Sequence, residues 1–449
     1  MIKKYFSNIL TIAFSKTAKN TYFVFIGNSL SLIFSFIYTV LLVRLLSLSD
    51  FGYYSAIFTF MLLISDISDI GIGSSLSRFL PPLKQEQDKL QSFLKTAFML
   101  QLVISVFIAI IIFIFSSFIA NVIFHNINLE ILLKIISIGV IGAVITNFSI
   151  YSLAAKEKFI SMSITTTSVG IFRVIFLVFL ILLSQVFLYQ VVIAQVLSYI
   201  FVAIFGMILV GPAFVFIHRT KGDLKRLLSF TSYLGIARIL TSLSGKLDVI
   251  MLLALTNDPV STGIYATASR LIAMYPIFSG SFSTVIAPKI STISDSLQLN
   301  KFLMKVILVT LVLISTIFFL IIFAHPFITI LFGIKAIQAV PVFRLLLISM
   351  IFFVGSIPSV TLAIYYLKKP HILTVNSILQ LIIVVGGNLF FIPIYGRFGA
   401  CYSLIFAYGI TLFLTSIMSY YYLTKRNVQQ GGGYIFYDNL CFFVIGLFL

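Results

Sequence analysis

The sequence predicts an all-α polytopic membrane protein of about twelve spans, and three observations predict it. The 449 residues are 60% hydrophobic and only 9% charged, with a mean hydropathy of +1.16, whereas soluble chains carry about 25% charged residues. Apolar stretches of the roughly 20 residues that a helix needs to cross a bilayer recur along the whole chain. The Lys and Arg residues gather on alternate gaps between those stretches. The short alternating strands of a membrane barrel have no counterpart here.

Taken in order, residues 1–21 carry Lys3, Lys4, Lys16 and Lys19 around an amphipathic stretch with no small-residue cleavage site. That pattern predicts an interfacial helix on the cytoplasmic side, not a signal peptide. Six spans follow at 22–43, 54–77, 93–116, 131–153, 162–183 and 189–210, forming an N-lobe, 22–210. A polar linker, 211–229, contains His218-Arg219-Thr220-Lys221-Gly222-Asp223-Leu224-Lys225-Arg226. The C-lobe, 230–423, holds six more spans at 230–254, 262–287, 303–324, 341–366, 371–394 and 399–423. Residues 424–449 form a loop and a short apolar stretch, 434–449, which is a thirteenth span, a re-entrant piece or a truncated end. The run Gly431-Gly432-Gly433 reads as a flexible gap, since no strand precedes it.

Six spans return the chain to the same side, so the two halves have the same orientation. This predicts a parallel pseudo-repeat about an axis along the membrane normal. Gly52-Tyr53-Tyr54-Ser55 opens the second span of the first half, and Gly263-Ile264-Tyr265-Ala266 opens the second span of the second.

Orientation follows from the distribution of the 30 Lys and Arg residues. The N-terminus and its side of the membrane hold 21, and the opposite side holds Arg44, Lys134, Lys335 and Arg397. Five lie within spans, of which Arg344 is near enough to a helix end to snorkel. The bias places the N-terminus in the cytoplasm. The net charge of +18 is confined to short gaps, which argues against nucleic acid as a partner. Cys401 and Cys441 lie in apolar surroundings with no metal or disulfide spacing. Trp is absent, so Tyr and Phe supply any interfacial belt. There is no GxxxxGK[ST] loop, His/Glu metal pattern or Ser/His/Asp set. The sequence therefore predicts a protein that is not an enzyme, with no cofactor and no metal.

The remaining four cations, Arg173, Arg238, Lys246 and Arg270, lie near the middle of long apolar segments. At 1.5 Å per residue each is roughly 12–17 Å from a span end, within the middle half of the membrane. Facing lipid, each would cost about 3 kcal/mol, and all four about 12 kcal/mol. They must face water or a partner, and they point to an internal site for an anion. The intramembrane acids are Asp66, Asp69 and Asp248. On an unbroken helix Lys246 and Asp248, two apart, do not face each other. Gly235, Arg238, Ser242 and Gly245 form one small, polar stripe on span seven, either lining a cavity or forming a tight helix seam.

Between residues 28 and 78 the chain resembles the Wzx-type flippases of lipid-linked oligosaccharides, of the polysaccharide-export family, related to MATE exporters and lipid II flippases. The residues that carry the resemblance are Asn28, Arg44-Leu45-Leu46, Asp50-Phe51-Gly52-Tyr53-Tyr54, and Asp69-Ile70-Gly71 followed by Arg78. Leu247-Asp248-Val249 before Gly263 and Tyr265 extends it into the second half. The resemblance implies a two-lobe, MATE-like bundle around a central cavity. It implies transport of an undecaprenyl-diphosphate-linked repeat unit, for O-antigen or another surface polysaccharide, from the cytoplasmic to the periplasmic leaflet by alternating access. An O-antigen polymerase and a chain-length regulator are the implied partners.

With that substrate, the four cations read as the site for the diphosphate, since guanidinium binds phosphate oxygens in bidentate fashion. The competing reading pairs Asp248 with an Arg as a structural bridge. Asp66 and Asp69 share a face and could bind a coupling H+ or Na+; alternatively, Asp69 pins the Asp-x-Gly turn and pairs with an Arg. Arg44, Asp50 and Arg78 lie at interfaces and read as structural. Two other functions stay open. A MATE-like multidrug or cation antiporter would need an acidic pocket, and a polysaccharide polymerase would need a large outer loop.

Overall fold

The computed structural model describes residues 16–184, 186–217, 222–279, 290, 296–369 and 371–429. Every regular element among them is helical, and eleven helices are long and apolar enough to cross a membrane. The protein is a multi-pass helical membrane protein. The eighth expected span, 262–287, extends past the described residues, and 434–449 and most of 1–21 lie outside them.

The chain divides into two compact units. Unit one takes the chain up to Leu46 and Ala56–Ser242; unit two takes Ser47–Ser55 and the chain from Leu243. Unit one contains α1 (Lys16–Leu45), most of α2 (Leu48–Asp69), α3 (Ile72–Phe79), α4 (Gln87–Ile114), α5 (Glu130–Ala155), α6 (Phe159–Leu182), α7 (Leu188–Val210) and α8 (Asp223–Ser244). Its principal packings are α5 on α7 and α1 on α6. The α1–α6 seam uses hydroxyls in place of bulky side chains. Ser163 donates to the Phe23 carbonyl at 2.9 Å and Thr167 to the Gly27 carbonyl at 3.0 Å, the kind of close contact that holds helices together in lipid. A core cluster around Ile72, Leu76, Phe93, Phe148 and Phe214 anchors α3, α4 and α5.

Unit two contains α9 (Leu247–Thr256), α10 (Pro259–Ile272), α11 (Ser296–Ile322), α12 (Ala339–Gly355), α13 (Ile357–Thr361), α14 (His371–Tyr395) and α15 (Arg397–Gln429). Its principal packings are α14 and α12 on α15 and α10 on α12. Pro358 removes a backbone donor just inside α13, and a π-helical turn, Leu362–Tyr366, follows.

Two expected spans are not continuous helices. The second, expected over 54–77, starts earlier, at Leu48, and ends at Asp69. Ile70 (φ 43°) and Gly71 (φ 79°) then take left-handed backbone before α3. The Asp69 carboxylate accepts the Gly73 N–H at 3.3 Å, which offers the chain an alternative to continuing the helix ladder. The seventh, expected over 230–254, breaks at Gly245-Lys246, between α8 and α9. There the Asp248 carboxylate accepts the Val249 N–H at 2.9 Å in the first turn of α9, where negative charge suits the helix dipole.

The two Gly-x-Tyr segments meet in unit two. Helix α2 is entered through Ser47, whose Oγ accepts the Asp50 N–H at 3.0 Å and donates to Asp50 Oδ2 at 2.7 Å. Helix α10 is capped by Asp258, which accepts from Val260 and Ser261 N–H, both at 3.0 Å. In both helices glycine stands five residues and a buried Tyr seven residues after the cap: Gly52 and Tyr54, Gly263 and Tyr265. The helices cross at those glycines. A Cβ on Gly52 would lie 1.9 Å from the Pro259 carbonyl oxygen, and one on Gly263 would lie 2.0 Å from that of Leu48.

Candidate functional site at the Asp69 junction

The break in α2 builds the polar site of unit one. Ile70 is β-branched and costs about 1–3 kcal/mol in left-handed backbone, a strain that surrounding contacts must hold. Those contacts converge on Asp69, which is 1% exposed. Its Oδ1 accepts from the Gly73 N–H at 3.3 Å and from Gln101 Nε2 of α4 at 2.8 Å. Its Oδ2 lies 2.9 Å from Arg238 Nη1 of α8. That ion pair is held by charge at an angle outside hydrogen-bond geometry, because Oδ2 accepts no hydrogen bond.

Two glycines make this approach possible. A Cβ on Gly235 would sit 2.4 Å from the Ile70 carbonyl oxygen, so α8 rests directly on the strained turn. A Cβ on Gly73 would sit 2.4 Å from the Tyr151 ring. The Tyr151 ring therefore packs closely against α3 and its hydroxyl accepts from Arg238 Nη2 at 2.6 Å, with the guanidinium carbon 4.9 Å from the ring centroid. One turn earlier on α2, Asp66 Oδ2 accepts from Ser242 Oγ at 2.5 Å. The stripe Gly235, Arg238, Ser242 thus packs as a seam against the end of α2, while Gly245 falls in the break between α8 and α9.

Arg173, also in unit one, has a different environment. Its Nη2 donates to the Tyr199 hydroxyl at 2.5 Å, and its guanidinium carbon stands 5.1 Å from the Phe58 ring centroid and 5.0 Å from that of Tyr199. Those partners are neutral, and the cation–π geometry orients the planar head without neutralising it.

In unit two the buried Asp248 accepts from the hydroxyl of the fully buried Tyr265 at 2.5 Å. Arg270, in the last turn of α10, is close enough to Asp248 to interact with it electrostatically. Lys246 caps α9 at the break. The structure thus gathers Asp66, Asp69 and Arg238 in one unit, and Asp248 and Arg270 in the other.

The sequence matches the family model described as "Polysaccharide biosynthesis protein" over residues 17–294. The chain belongs to that family. Its fold is similar to that of a lipid II flippase, MurJ, in an inward closed conformation, with a TM-score of 0.74 at 17% identity, covering 95% of this chain and 96% of the other. It is similar to an inward-facing multidrug resistance MATE family transporter of the MOP superfamily, with a TM-score of 0.69 at 13% identity over 87% and 93% of the two chains. A MOP superfamily transporter from Pyrococcus furiosus, described as having a binding pocket of reversed polarity, aligns with a TM-score of 0.58 at 12% identity over 89% and 94%. No curated protein matches the sequence closely enough to count as a relative.

The residues that carry the family resemblance have distinct places in the fold. Gly71 is the left-handed N-cap of α3, Asp50 completes the cap of α2, and Gly52 and Tyr54 sit in the α2–α10 crossing. Asn28 is half-buried on α1, Arg44 is exposed in the last turn of that helix, and Arg78 is exposed with its guanidinium 5.7 Å from the Phe79 ring centroid. The sequence does not single out Gln101, Tyr151 or Tyr199, and it marks Tyr265 only as part of the repeat and of the family resemblance. Gln101 did leave a signal, as an amide in the long apolar run of α4. Just beyond the end of α5, Lys156 donates to the Val210 carbonyl at 2.9 Å. Burial, with Lys158 nearby, pulls its amine down to about 8.

Proposed function

We propose that this protein flips an undecaprenyl-diphosphate-linked oligosaccharide repeat unit from the cytoplasmic to the periplasmic leaflet of the bacterial inner membrane. The product would feed assembly of O-antigen or a related surface polysaccharide. One observation carries the reading: in a member of the polysaccharide biosynthesis family, Arg173, Arg238 and Lys246 fall in helical runs long and apolar enough to cross a membrane, Arg270 lies on the shorter α10, and all four are only partly buried. A partly exposed guanidinium at that depth is suited to a diphosphate, which it binds through two parallel hydrogen bonds without changing its own protonation. Alternating access accounts for the traffic: the site faces one side and then the other, and the substrate shifts the balance through its differential affinity. The protein acts as a transporter with its N-terminus in the cytoplasm, works beside a polymerase and a chain-length regulator, and carries H+ or Na+ as a counter-ion. The acids Asp66, Asp69 and Asp248 are the candidates for binding that ion.

The likeness to a MATE transporter supports a second reading, export of small cationic compounds. The test is complementation of a flippase-deleted strain whose repeat unit matches this gene's own locus, with surface polysaccharide read on a gel. Wild type restores polysaccharide, and Arg173→Ala, Arg238→Ala and Arg270→Ala reduce it at matched membrane abundance. Full activity in all three overturns the cationic site. Failure of a well-expressed wild type, together with a gain in drug resistance, favours the exporter.

A further inference from the structure

We propose that Asp69 is a proton-binding site whose proton exchanges with the Arg238 guanidinium: when Arg238 turns to the anionic substrate, Asp69 takes up one proton on Oδ2. The inference rests on the diphosphate reading above and gives it a coupling mechanism.

A carboxylate that is 1% exposed requires a counter-charge where it lies. Its counter-charge is a guanidinium on a side chain that is 26% exposed, long enough to reach outward while its backbone stays in place. Such a pair is exchangeable in a way that a fully buried bridge is not. The two oxygens of Asp69 also differ. Oδ1 already receives two N–H donors, from Gly73 and Gln101, which hold the carboxyl in place whatever its charge and oppose a metal ion on that side. Oδ2 faces Arg238 and accepts no hydrogen bond. Gln101 Oε1 is likewise buried without a hydrogen-bond partner, leaving an acceptor on the amide that already touches the carboxyl.

Among the described residues, the charged and titratable groups facing Asp69 are Asp66 on its own helix, Tyr151 on α5 and Arg238 on α8, while α4 contributes the neutral Gln101. Asp66 is one turn away, with Ser242 donating to it. Once Arg238 withdraws, two carboxylates on one helix face compete, and one of them takes a proton. Asp69 is the more deeply buried and is the one that does. The proton comes from water on the side to which the site is open; an O–H bond forms at Oδ2 and breaks when the guanidinium returns. One proton is bound for each anion bound at Arg238.

The first test needs no substrate. The full-length protein in lipid nanodiscs at neutral pH is examined by infrared spectroscopy for the carbonyl band of a protonated carboxyl. Arg238→Ala shows a band absent from wild type, and Arg238→Ala combined with Asp69→Asn loses it. Asn keeps the Oδ1 acceptor for both N–H donors, so the double variant retains the turn. Arg238→Lys, which keeps a cation, lacks the band. Absence of the band in a monodisperse Arg238→Ala protein overturns the proposal, as does its displacement by Na+, which would assign the site to a metal ion.

The second test adds farnesyl diphosphate to weakly buffered protein and counts protons taken up. Wild type takes up about one per protein bound, and Asp69→Asn binds the diphosphate with no uptake. Binding by wild type without uptake overturns the exchange. If the infrared band appears as expected but wild type binds no diphosphate, the failure falls on the substrate reading and the exchange with a diphosphate is refuted with it.

Discussion

Substitution of Gly235 by Ala tests how the Asp69 junction is held together. The added Cβ would lie 2.4 Å from the Ile70 carbonyl oxygen and 2.9 Å from its carbon. Both are backbone atoms of a strained turn and cannot rotate away. Relief to ordinary contact moves α8 outward by about 1 Å, and overpacking of this kind costs about 1–3 kcal/mol. Arg238 is three residues along the same helix face, so the shift stretches a pair now 2.9 Å apart toward the limit of contact. A buried pair broken outright costs about 3–5 kcal/mol, of which stretching forfeits a part. Against this, Ala returns about 1 kcal/mol of helix propensity. The net expectation is a loss of about 2–3 kcal/mol. Gly409 is the control: it lies in α15 with nothing within 4 Å of an added Cβ, so Ala there gains the propensity alone. Thermal unfolding in detergent, followed by retention of a monodisperse size-exclusion peak, compares the two. Equal midpoints for Gly235→Ala and Gly409→Ala would refute the close approach of α8 to the turn.

Three further predictions can be checked on the same material. Gly52→Ala and Gly263→Ala each force apart the same crossing, with backbone clashes at 1.9 and 2.0 Å; each destabilises by about 1–3 kcal/mol, and the double variant falls short of their sum because the first opens the gap for the second. A double-mutant cycle with fully additive terms would show that the crossing is looser than described. Tyr265→Phe removes the donor to Asp248, leaving a buried carboxylate oxygen unsatisfied and lowering stability by about 1–3 kcal/mol in chemical unfolding. Lys156 has its amine pulled down to about 8 from an ordinary value of 10.5. In that window the unfolded chain binds the proton and the folded one does not, so stability rises with pH. Discounted for the partial exposure of the amine, the gain is about 1–2 kcal/mol. Lys156→Met abolishes it, which unfolding at pH 7.5 and 10 measures.

The spans were legible in the sequence because a bilayer imposes length and apolarity on every helix that crosses it. The cations within apolar runs stand out in the sequence because so few charges interrupt those runs. The two helix breaks were not. Ile70 is an apolar, β-branched residue that nothing local commits to left-handed backbone, and only Gly71 hints at a turn. What fixes the turn is tertiary: the Asp69 carboxylate on Gly73, Gln101 from α4, and α8 seated on the Ile70 carbonyl. Lys246 and Asp248 were kept on separate faces by assuming an unbroken helix; the break at Gly245-Lys246 removes the premise of that geometry. The partner of Asp69 was foreseeable in kind, an Arg, but not in identity, since Arg238 is far away along the chain. Tyrosine hydroxyls were passed over because Tyr reads as interfacial in a chain without Trp, yet Tyr151, Tyr199 and Tyr265 each contact an intramembrane charge.

The cations therefore do not act alike, although in sequence they are equivalent. Arg173 is oriented by two rings and a hydroxyl, which position its guanidinium. Arg238 is tied to a buried acid, and any anion it meets competes with Asp69 for the same guanidinium. The first arrangement favours affinity, because the head is already positioned. The second favours coupling, because binding at one place changes charge at another and the exchange is reciprocal. A transporter needs both: affinity that holds an anion in the membrane, and a reason for that affinity to change within the cycle. On the exchange proposed above, the Asp69 turn supplies the second. Strain in the left-handed turn at Ile70 and the charge state of Asp69 are thus set by the same few contacts, so a change in one must be felt by the other.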